Sequence, residues 1–491
     1  MMEIKKFLEK NIRSILYVIV IFGAIIRFYF LNLAKNQAHW WDSLAYGSLA
    51  KNMIYHLWDN TPFIIHEEVI RPPLLPLIWN WMLRLGASDY FTIVLTGVIP
   101  SIISVFLIYL IGKEMYGSKV GIIASILASF SWIFIFYSIR VMTDIPSMTL
   151  ILASIYFFIK SYDNLNLKHW SASVFFLALA VLFRYSHGII AFTYIVFLLL
   201  IHRKKIVSNK RFWQGGLIGS IPIIIFIAIN LITYGSILPA SEEYLSSAGQ
   251  KSEFAWYTLG FISHILRSPL IWLFYTGIII VLYKTSISYG FILKEKETKM
   301  HLFNLLMLFV VFSFFIFGIK ASEDRYLLGL SSIMFIIPAL SLCYFYNSFS
   351  KNKKEIASII VILFLIWSLY SNIIFANNMV MDKKETYKQM KDAFIWIKYN
   401  TPENAVITGE WVEPYAIYYS ERPVQILPEG FNYTNFNLEA DYVVITAVHE
   451  VSTEFVNYVN GLANDNSLVP IKAFFFDAQQ TRPAVIIYKR S

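Results

Sequence analysis

The chain has 491 residues, of which 57% are hydrophobic and only 15% are charged. A soluble protein could not keep that much apolar surface away from water, so the composition indicates a multi-pass membrane protein. The formal net charge of +9 does not indicate a nucleic-acid partner, because the basic residues lie mostly in short loops between apolar runs. The single cysteine, Cys343, excludes an internal disulfide and a cysteine-based metal cluster.

The first apolar run, from about Ile15 to Leu33, is long enough to cross ~30 Å of hydrocarbon. It follows the basic segment MMEIKKFLEKNIR, and no convincing small-residue cleavage site precedes the next charged and aromatic loop. We therefore expect a retained signal anchor rather than a cleaved signal peptide.

Ten further apolar runs predict a total of about eleven spans. They lie near residues 93–111, 120–137, 145–159, 170–182, 189–201, 215–233, 259–282, 302–319, 327–345 and 356–374. Loops such as HRKKIVSNKR and SFSKNKKE hold most of the lysines, which predicts a cytoplasmic N-terminus. An odd number of spans then places the C-terminus, and the loop from His39 to Arg84, outside.

The first outer loop contains RPPLLPLIWNWMLRLG, in which Pro72 and Pro73 fit the first turn of a helix. We expect an interfacial or re-entrant helix over Leu74–Leu85. A true span here would invert every later loop, and the lysine distribution argues against that inversion.

After about Asp382 the composition changes to that of a small soluble domain. The segments KKETYKQMKDAFIWIKYNT and STEFVNYVNGLAND have helical spacing, whereas NAVITG, RPVQIL, DYVVITA, KAFFF and AVIIYKR resemble strands. The sequence therefore predicts a membrane domain at 1–380 and an extracytoplasmic α/β domain at 381–491.

The predicted outer side collects ionisable residues within a few positions of the membrane ends. Charges at such depth are costly unless they face a cavity or a partner, so the group indicates a site. The outer positive residues are largely arginines, whose planar fork suits phosphate, while the cytoplasmic ones are largely lysines. The outer residues are Asp42, Arg71, Arg140, Asp144, Arg184, His187, Glu242, Glu243, Glu323, Asp324 and Arg325.

The two aspartates also have purely structural interpretations. Asp42 could cap a helix over Ser43–Asn52, with Tyr46 on the same face as Asp42. Asp144 could cap the helix whose first turn contains Pro146, although a cap and a site residue are not exclusive.

The outer basic residues have similar alternatives. Arg184 and His187 in FRYSHG could snorkel from the end of a helix. The segment KASEDRYLLGL could be an ordinary charged loop, although it would place Arg325 where a lipid phosphate sits.

The order of motifs resembles the polytopic glycosyltransferases that use polyprenyl-phosphate sugars, the superfamily with the GT-C fold. Within it, the sequence is similar to the branch of protein O-mannosyltransferases and lipid A aminoarabinose transferases. The resemblance covers about the first 340 residues. It is carried by Asp42 with Tyr46, then RPPLLPL, YLIGKEMYG, YSIRVMTDIPSM, LFRYSHG and RYLLGL.

This resemblance implies an enzyme that transfers a sugar, with inversion, from a polyprenyl (dolichyl or undecaprenyl) phosphate to an extracytoplasmic protein, lipid or glycan. Asp42 would be the general base, and Asp144 would orient the acceptor or support Asp42. Cations would stabilise the leaving phosphate and other polar residues would bind substrate. The phosphate-binding candidates are Arg325, Arg184 and Arg140, and the substrate-binding candidates are Tyr46, Arg71, His187 and Glu323.

Three questions stay open at this point. Protein mannosyltransferases usually show Asp-Glu in the first loop, whereas Ser43 follows Asp42 here, so the acceptor is undecided. Some superfamily members use a divalent metal and others do not, and two acids are too few to argue for one. A transporter or lipid flippase, which would show inverted repeats and broken helices, and a non-catalytic subunit of a glycan assembly complex are the alternative functions.

Overall fold

In the computed structural model, the described residues are 2–239, 260, 262–287, 295–318, 323–427, 433 and 436–491. Glu242 and Glu243 lie outside them. The chain divides into two compact units. The first unit contains Met1–Leu33 and Ile93–Val380, and the second contains Ala34–Thr92 and Met381–Ser491.

The described residues of the first unit form helices joined by short turns and contain no strand. Its α-helices are Met2–Leu33, Ile99–Tyr116, Ser118–Ser129, Trp132–Ser138, Asp144–Ser161, Leu167–Phe183, Ile189–His202, Lys210–Gly219, Ile221–Tyr234, Leu270–Ile287, Lys296–Ser313, Ser331–Ser348 and Lys354–Lys383. Short 3-10 or π segments, among them Val94–Val98, Tyr185–Gly188, Arg203–Ile206, Phe314–Gly318, Asp324–Leu330 and Lys351–Lys353, extend several of these helices.

The helices confirm a polytopic membrane protein. Seven of them are long and apolar enough to cross a membrane, and two bent helix pairs bring the number to nine within the described part of the chain. Each of the eleven predicted runs overlaps one or more helices, and some positions of the 259–282 and 302–319 runs are not described. The predicted number is higher because Leu167–Phe183 is short for a span and Asp144–Ser161 carries charged residues at both ends.

One bent pair, Ser118–Ser129 with Trp132–Ser138, changes direction by 53°. A break in a helix exposes backbone groups that lipid cannot satisfy. The buried Arg27 donates to the Ser129 carbonyl at 2.9 Å, and the Asn372 side-chain oxygen accepts the Trp132 N–H at 3.2 Å. The break is therefore held by side chains from the first and the last long helix of the unit.

The second unit joins the first loop to the C-terminal part of the chain. Its helices are Trp41–Tyr55, Pro62–Ile70, Leu74–Arg84, Lys388–Asn400, Glu413–Tyr415 and Thr453–Asn464, with Asp89–Ile93 at its boundary and a π segment at Ala416–Ser420. The predicted helices over Ser43–Asn52 and Leu74–Leu85 are confirmed. The first loop and the C-terminal part of the chain belong to this one compact unit. The boundary predicted at residue 380 differs from this division, because it assigns the first loop to the membrane domain.

A four-stranded sheet forms the C-terminal part of this unit. Its strands are β1 (Ile407–Thr408), β2 (Tyr442–Thr446), β3 (Leu468–Phe475) and β4 (Pro483–Arg490), in the order β1-β2-β4-β3. β1 is parallel to β2, whereas β4 is antiparallel to both of its neighbours. The adjacent residues Val443 and Val444 point to opposite faces and both are buried, so the sheet is covered on both sides.

The strand predicted in RPVQIL is wrong. This segment makes only one isolated bridge, between Val424 and Ile407, and does not join the sheet as a strand. Pro423 has no N–H to donate to a ladder, which explains why regular pairing stops there. The other four strand-like runs each overlap one of the strands.

Candidate active site

Asp42 is joined to Arg71 on the neighbouring helix. It lies in the first turn of the helix Trp41–Tyr55, and its Oδ1 is 3.0 Å from Nη1 of Arg71. The Arg71 Nε donates to the Glu67 carboxylate, and its guanidinium lies 4.9 Å from the ring centroid of Tyr46. Asp42, Tyr46 and Arg71, which are all candidates from the sequence, thus form one cluster.

The environment of Asp42 differs from that of a simple helix cap. Trp40 occupies the N-cap position, so the structural interpretation of Asp42 as the cap is wrong. The Asp42 side chain is 32% exposed, whereas that of Glu67 is 5% exposed. Glu67 therefore holds Arg71 from the buried side, and Asp42 is the carboxylate that an external group can reach.

A second cluster, in the first unit, surrounds Asp144. This side chain is fully buried and is the first residue of the helix Asp144–Ser161, after the N-cap residue Thr143. Arg184 donates to Asp144 Oδ1, while Nη1 of Arg325 lies 3.9 Å from Oδ2. Asp144 thus lies between two guanidinium groups and is placed to orient them.

The two arginines also share an aromatic neighbour. Their Cζ atoms lie 4.8 Å (Arg184) and 5.9 Å (Arg325) from the ring centroid of Tyr326. Arg325 makes a further ion pair with Glu323, which is partly exposed. Glu323 is the more exposed of the two acids in this cluster. An incoming anion can therefore replace Glu323 as the partner of Arg325.

Two other candidates make contacts inside the protein. His187 is buried and its Nε2 lies 3.1 Å from the Ser147 hydroxyl, which donates to the Asp144 carbonyl. Arg140 donates to the Phe136 carbonyl at 2.5 Å, and its guanidinium lies 3.7 Å from the Phe136 ring centroid. Among the described ion pairs, Asp144 is joined to Arg184 and Arg325 and not to Arg140.

Glu67 and Tyr326 belong to these two clusters, and the sequence interpretation missed both. Glu67 precedes Arg71 by four residues, the spacing of a helical ion pair, which was the available signal. Tyr326 follows Arg325 directly, but its contact with Arg184 depends on tertiary structure.

Within the described residues, no three His, Cys, Asp or Glu side chains come together in a group that could hold a metal ion.

Comparison with known proteins gives the fold a name. Residues 70–229 match the family model of dolichyl-phosphate-mannose-protein mannosyltransferase. No curated protein matches the chain in sequence. The structure is similar to ArnT from Cupriavidus metallidurans bound to undecaprenyl phosphate, with a TM-score of 0.64 and 10% identity over 96% of this chain and 97% of that one. The chain has the GT-C fold.

Archaeal structures show the same fold. The oligosaccharyltransferase AglB from Archaeoglobus fulgidus, in complex with an inhibitory peptide and a dolichol-phosphate, has a TM-score of 0.57 and 13% identity over 83% of this chain and 64% of that one. The A. fulgidus oligosaccharyltransferase tethered to an acceptor peptide has a TM-score of 0.62 and 13% identity, covering 99% and 75% of the two chains. The predicted resemblance and fold class are thus confirmed.

Proposed function

We propose that this GT-C protein transfers a sugar from a polyprenyl phosphate to an extracytoplasmic acceptor. The observation that carries the proposal is the pair of nearly buried arginines, Arg184 and Arg325, oriented by the buried Asp144. Bidentate guanidinium groups in a region of low dielectric bind phosphate well. The fold shared with ArnT, which was solved with undecaprenyl phosphate, supports the same class of donor.

In the proposed reaction, the acceptor hydroxyl oxygen attacks the anomeric carbon of the donor. Asp42 takes the hydroxyl proton, while the bond between the anomeric carbon and the phosphate oxygen breaks with inversion. Arg325 and Arg184 stabilise the charge on the departing polyprenyl phosphate. Asp42 belongs to the second unit, whereas Arg184 and Arg325 belong to the first.

The geometry changes the roles proposed for several candidates. Asp144, buried between arginines, fits an orienting carboxylate rather than a second base. Arg71 holds Asp42, while Tyr46 packs on Arg71, so both would act on substrate through Asp42. His187 would support the first turn after Asp144, and Glu323 would yield Arg325 to the donor. Arg140 stays a weaker candidate for phosphate binding.

The bent helix pairs are a feature that a transporter would also have. The second pair, Lys210–Gly219 with Ile221–Tyr234, bends by 56°. At the first bend, however, Arg27 and Asn372 satisfy the exposed backbone groups from neighbouring helices. Such fixed packing favours a rigid scaffold and therefore an enzyme over a transporter. We also propose that the N-terminus is cytoplasmic and that both parts of the second unit are extracytoplasmic.

The test uses protein in membranes supplied with labelled dolichyl-phosphate or undecaprenyl-phosphate sugars. Wild-type protein should transfer label from one of these donors to material that is not lipid phosphate. Purified protein without a partner should keep the activity, which would exclude a non-catalytic subunit. If the label instead moves across sealed vesicles without forming a new glycoside, the protein is a transporter and the proposal is wrong.

A further inference from the structure

The helix that carries Asp42 is deeply packed in the second unit. In this helix, Trp41–Tyr55, the residues from Ser43 to Asn52 are all buried. One of its neighbours is the segment Glu413–Glu421 of the C-terminal part, hereafter the docking segment. A residue proposed as the base is thus carried by a helix that the C-terminal part covers.

The helix packs tightly against a side chain of the docking segment at Gly47. A Cβ atom at this position would lie 2.6 Å from the Tyr418 ring, closer than real Cβ atoms come to other atoms. One residue later, the Ser48 hydroxyl donates to the Pro414 carbonyl at 3.3 Å. The helix therefore has a fixed height and rotation against the docking segment.

The chain entering this helix is held by tyrosines of the docking segment. The His39 backbone N–H donates to the Tyr419 hydroxyl at 2.8 Å. The Tyr418 hydroxyl donates to Asp89 Oδ1 at 2.6 Å, and Asp89 Oδ2 lies 3.1 Å from His39 Nε2. These contacts fix the chain three residues before Asp42.

Farther along the helix, a buried ion cluster makes the second attachment. The Lys51 side chain is 11% exposed, donates to the Tyr418 carbonyl at 2.6 Å and forms an ion pair with Glu421. Lys398 on the helix Lys388–Asn400 lies 2.6 Å from the other Glu421 oxygen. Glu421 thus has two cationic partners, whereas Lys51 has one anionic partner among the described ion pairs.

The conformation of Glu421 shows that this attachment is imposed by the surrounding structure. Its φ is 55°, in the left-handed region that residues with a Cβ rarely adopt. The following Arg422 donates to the Lys398 and Thr401 carbonyls at 2.7 and 3.0 Å, which ties the turn to the end of a neighbouring helix. Strained backbone persists only where surrounding contacts determine it, and such sites cluster at functional positions.

We propose that Glu421 is a positioning residue that sets Asp42 through Lys51, so that the C-terminal domain is part of the catalytic module. This inference rests on the proposed role of Asp42 as the general base. Glu421 itself touches no reacting atom in the proposal. A displacement of about 1 Å at a catalytic group can lower turnover by about 100-fold, so loss of this attachment should act on kcat.

The arrangement of charges predicts an asymmetric result for single substitutions. Glu421→Gln leaves Lys51 as a buried cation without a carboxylate partner, which is strongly destabilising. Lys51→Met leaves Glu421 paired with Lys398, so this variant should lose less stability than E421Q. The double variant K51M/E421Q removes the buried pair together and should recover much of the stability that E421Q alone loses.

The experiment measures kcat, donor KM and thermal unfolding for wild type, K51M, E421Q and K51M/E421Q. We expect E421Q, K51M and the double variant, which all lack the attachment, to have a kcat about tenfold or more below that of wild type, with donor KM within about twofold of wild type. The double variant should regain most of the thermal stability that E421Q loses. K398M is the matched control: it removes the other lysine beside Glu421 but keeps the Lys51 pair, so its kcat should stay near that of wild type.

The outcomes separate the two proposals. If the wild-type protein transfers no sugar, the proposed function is wrong, and the positioning role, which rests on it, is wrong as well. An active wild type with an unchanged kcat in folded E421Q overturns the positioning role alone. A folded double variant with the kcat of wild type also overturns it, and this measurement stays informative if E421Q alone fails to fold.

Discussion

Asp42 Oδ1 lies 3.0 Å from Nη1 of Arg71, while Glu67 accepts from Nε of the same guanidinium. Because Glu67 is buried, Arg71 keeps its position even when Asp42 moves toward a substrate. The arrangement presents a partly exposed acid beside a fixed guanidinium group, and it is the basis of the first prediction.

Asp42→Asn should lower sugar transfer by about 100- to 10,000-fold, because an amide cannot accept the acceptor proton. Folding should be unaffected, since asparagine keeps the shape and can still accept from Arg71. The measurement is transfer of labelled sugar at saturating donor. Glu68→Gln is the matched control, as Glu68 is an exposed acid next to Glu67; equal losses in both variants would remove Asp42 as the base.

Arg325→Ala should raise the donor KM and lower kcat, because the variant loses a cation that contacts the phosphate in both the bound donor and the leaving group. Arg325→Lys should lie between this variant and wild type, since it keeps the charge but loses the planar fork. Initial rates are measured while the donor and acceptor concentrations are varied separately. A defect confined to acceptor KM would assign Arg325 to the acceptor side.

Asp144→Asn should destabilise the first unit by about 3–5 kcal/mol, because it leaves two nearly buried guanidinium groups without their shared carboxylate. The measurement is thermal unfolding in detergent. Combining it with Arg184→Met should recover part of the loss, since one of the two cations is then removed. A fully stable single variant would show that Asp144 is not the counterion of this cluster.

Gly47→Ala should impair folding or lower kcat, because the added methyl group would lie 2.6 Å from the Tyr418 ring. Gly216→Ala is the matched control: Gly216 is also in a helix, but a Cβ there meets nothing within 4 Å. Expression yield, unfolding temperature and kcat of the two variants are compared. Wild-type values for Gly47→Ala would mean that the helix can shift away from the docking segment at no cost.

The buried Lys51 ammonium group predicts that the stability of E421Q depends on pH. Burial lowers its pKa from 10.5, and the attraction of Glu421 opposes this effect more strongly than that of Asp89, while Lys398 adds repulsion. In E421Q the pKa should fall further. The unfolded chain then binds more protons than the folded chain, so the stability of E421Q should rise as the pH increases from 7 toward 10.5.

Unfolding temperatures measured across this pH range for E421Q and K51M/E421Q provide the check. The double variant has no Lys51 and should lack the rise. An identical pH response in both variants would assign the effect to another group.

Much of the membrane architecture could be predicted from the sequence because the signal is local. A run of apolar residues forms a helix in lipid whatever its neighbours, so each of the eleven predicted runs overlaps one or more helices of the described chain. The arginines of the candidate site were also visible, since their type and their position near predicted membrane ends are local properties. The bends at Ser129 and Gly219 were not predicted, because they depend on partners such as Arg27 from distant helices.

The sequence by itself determined the membrane class, the order of motifs and the choice of Asp42 as a candidate base. Only tertiary structure decided which partners each charge has: Arg71 with Asp42, two arginines with Asp144, and Glu421 with Lys51. The physical reason is that a buried charge is stable only beside a compensating group, and chain folding brings that group from far along the sequence. Hence the docking of the Asp42 helix against the C-terminal part has no signature in either segment alone.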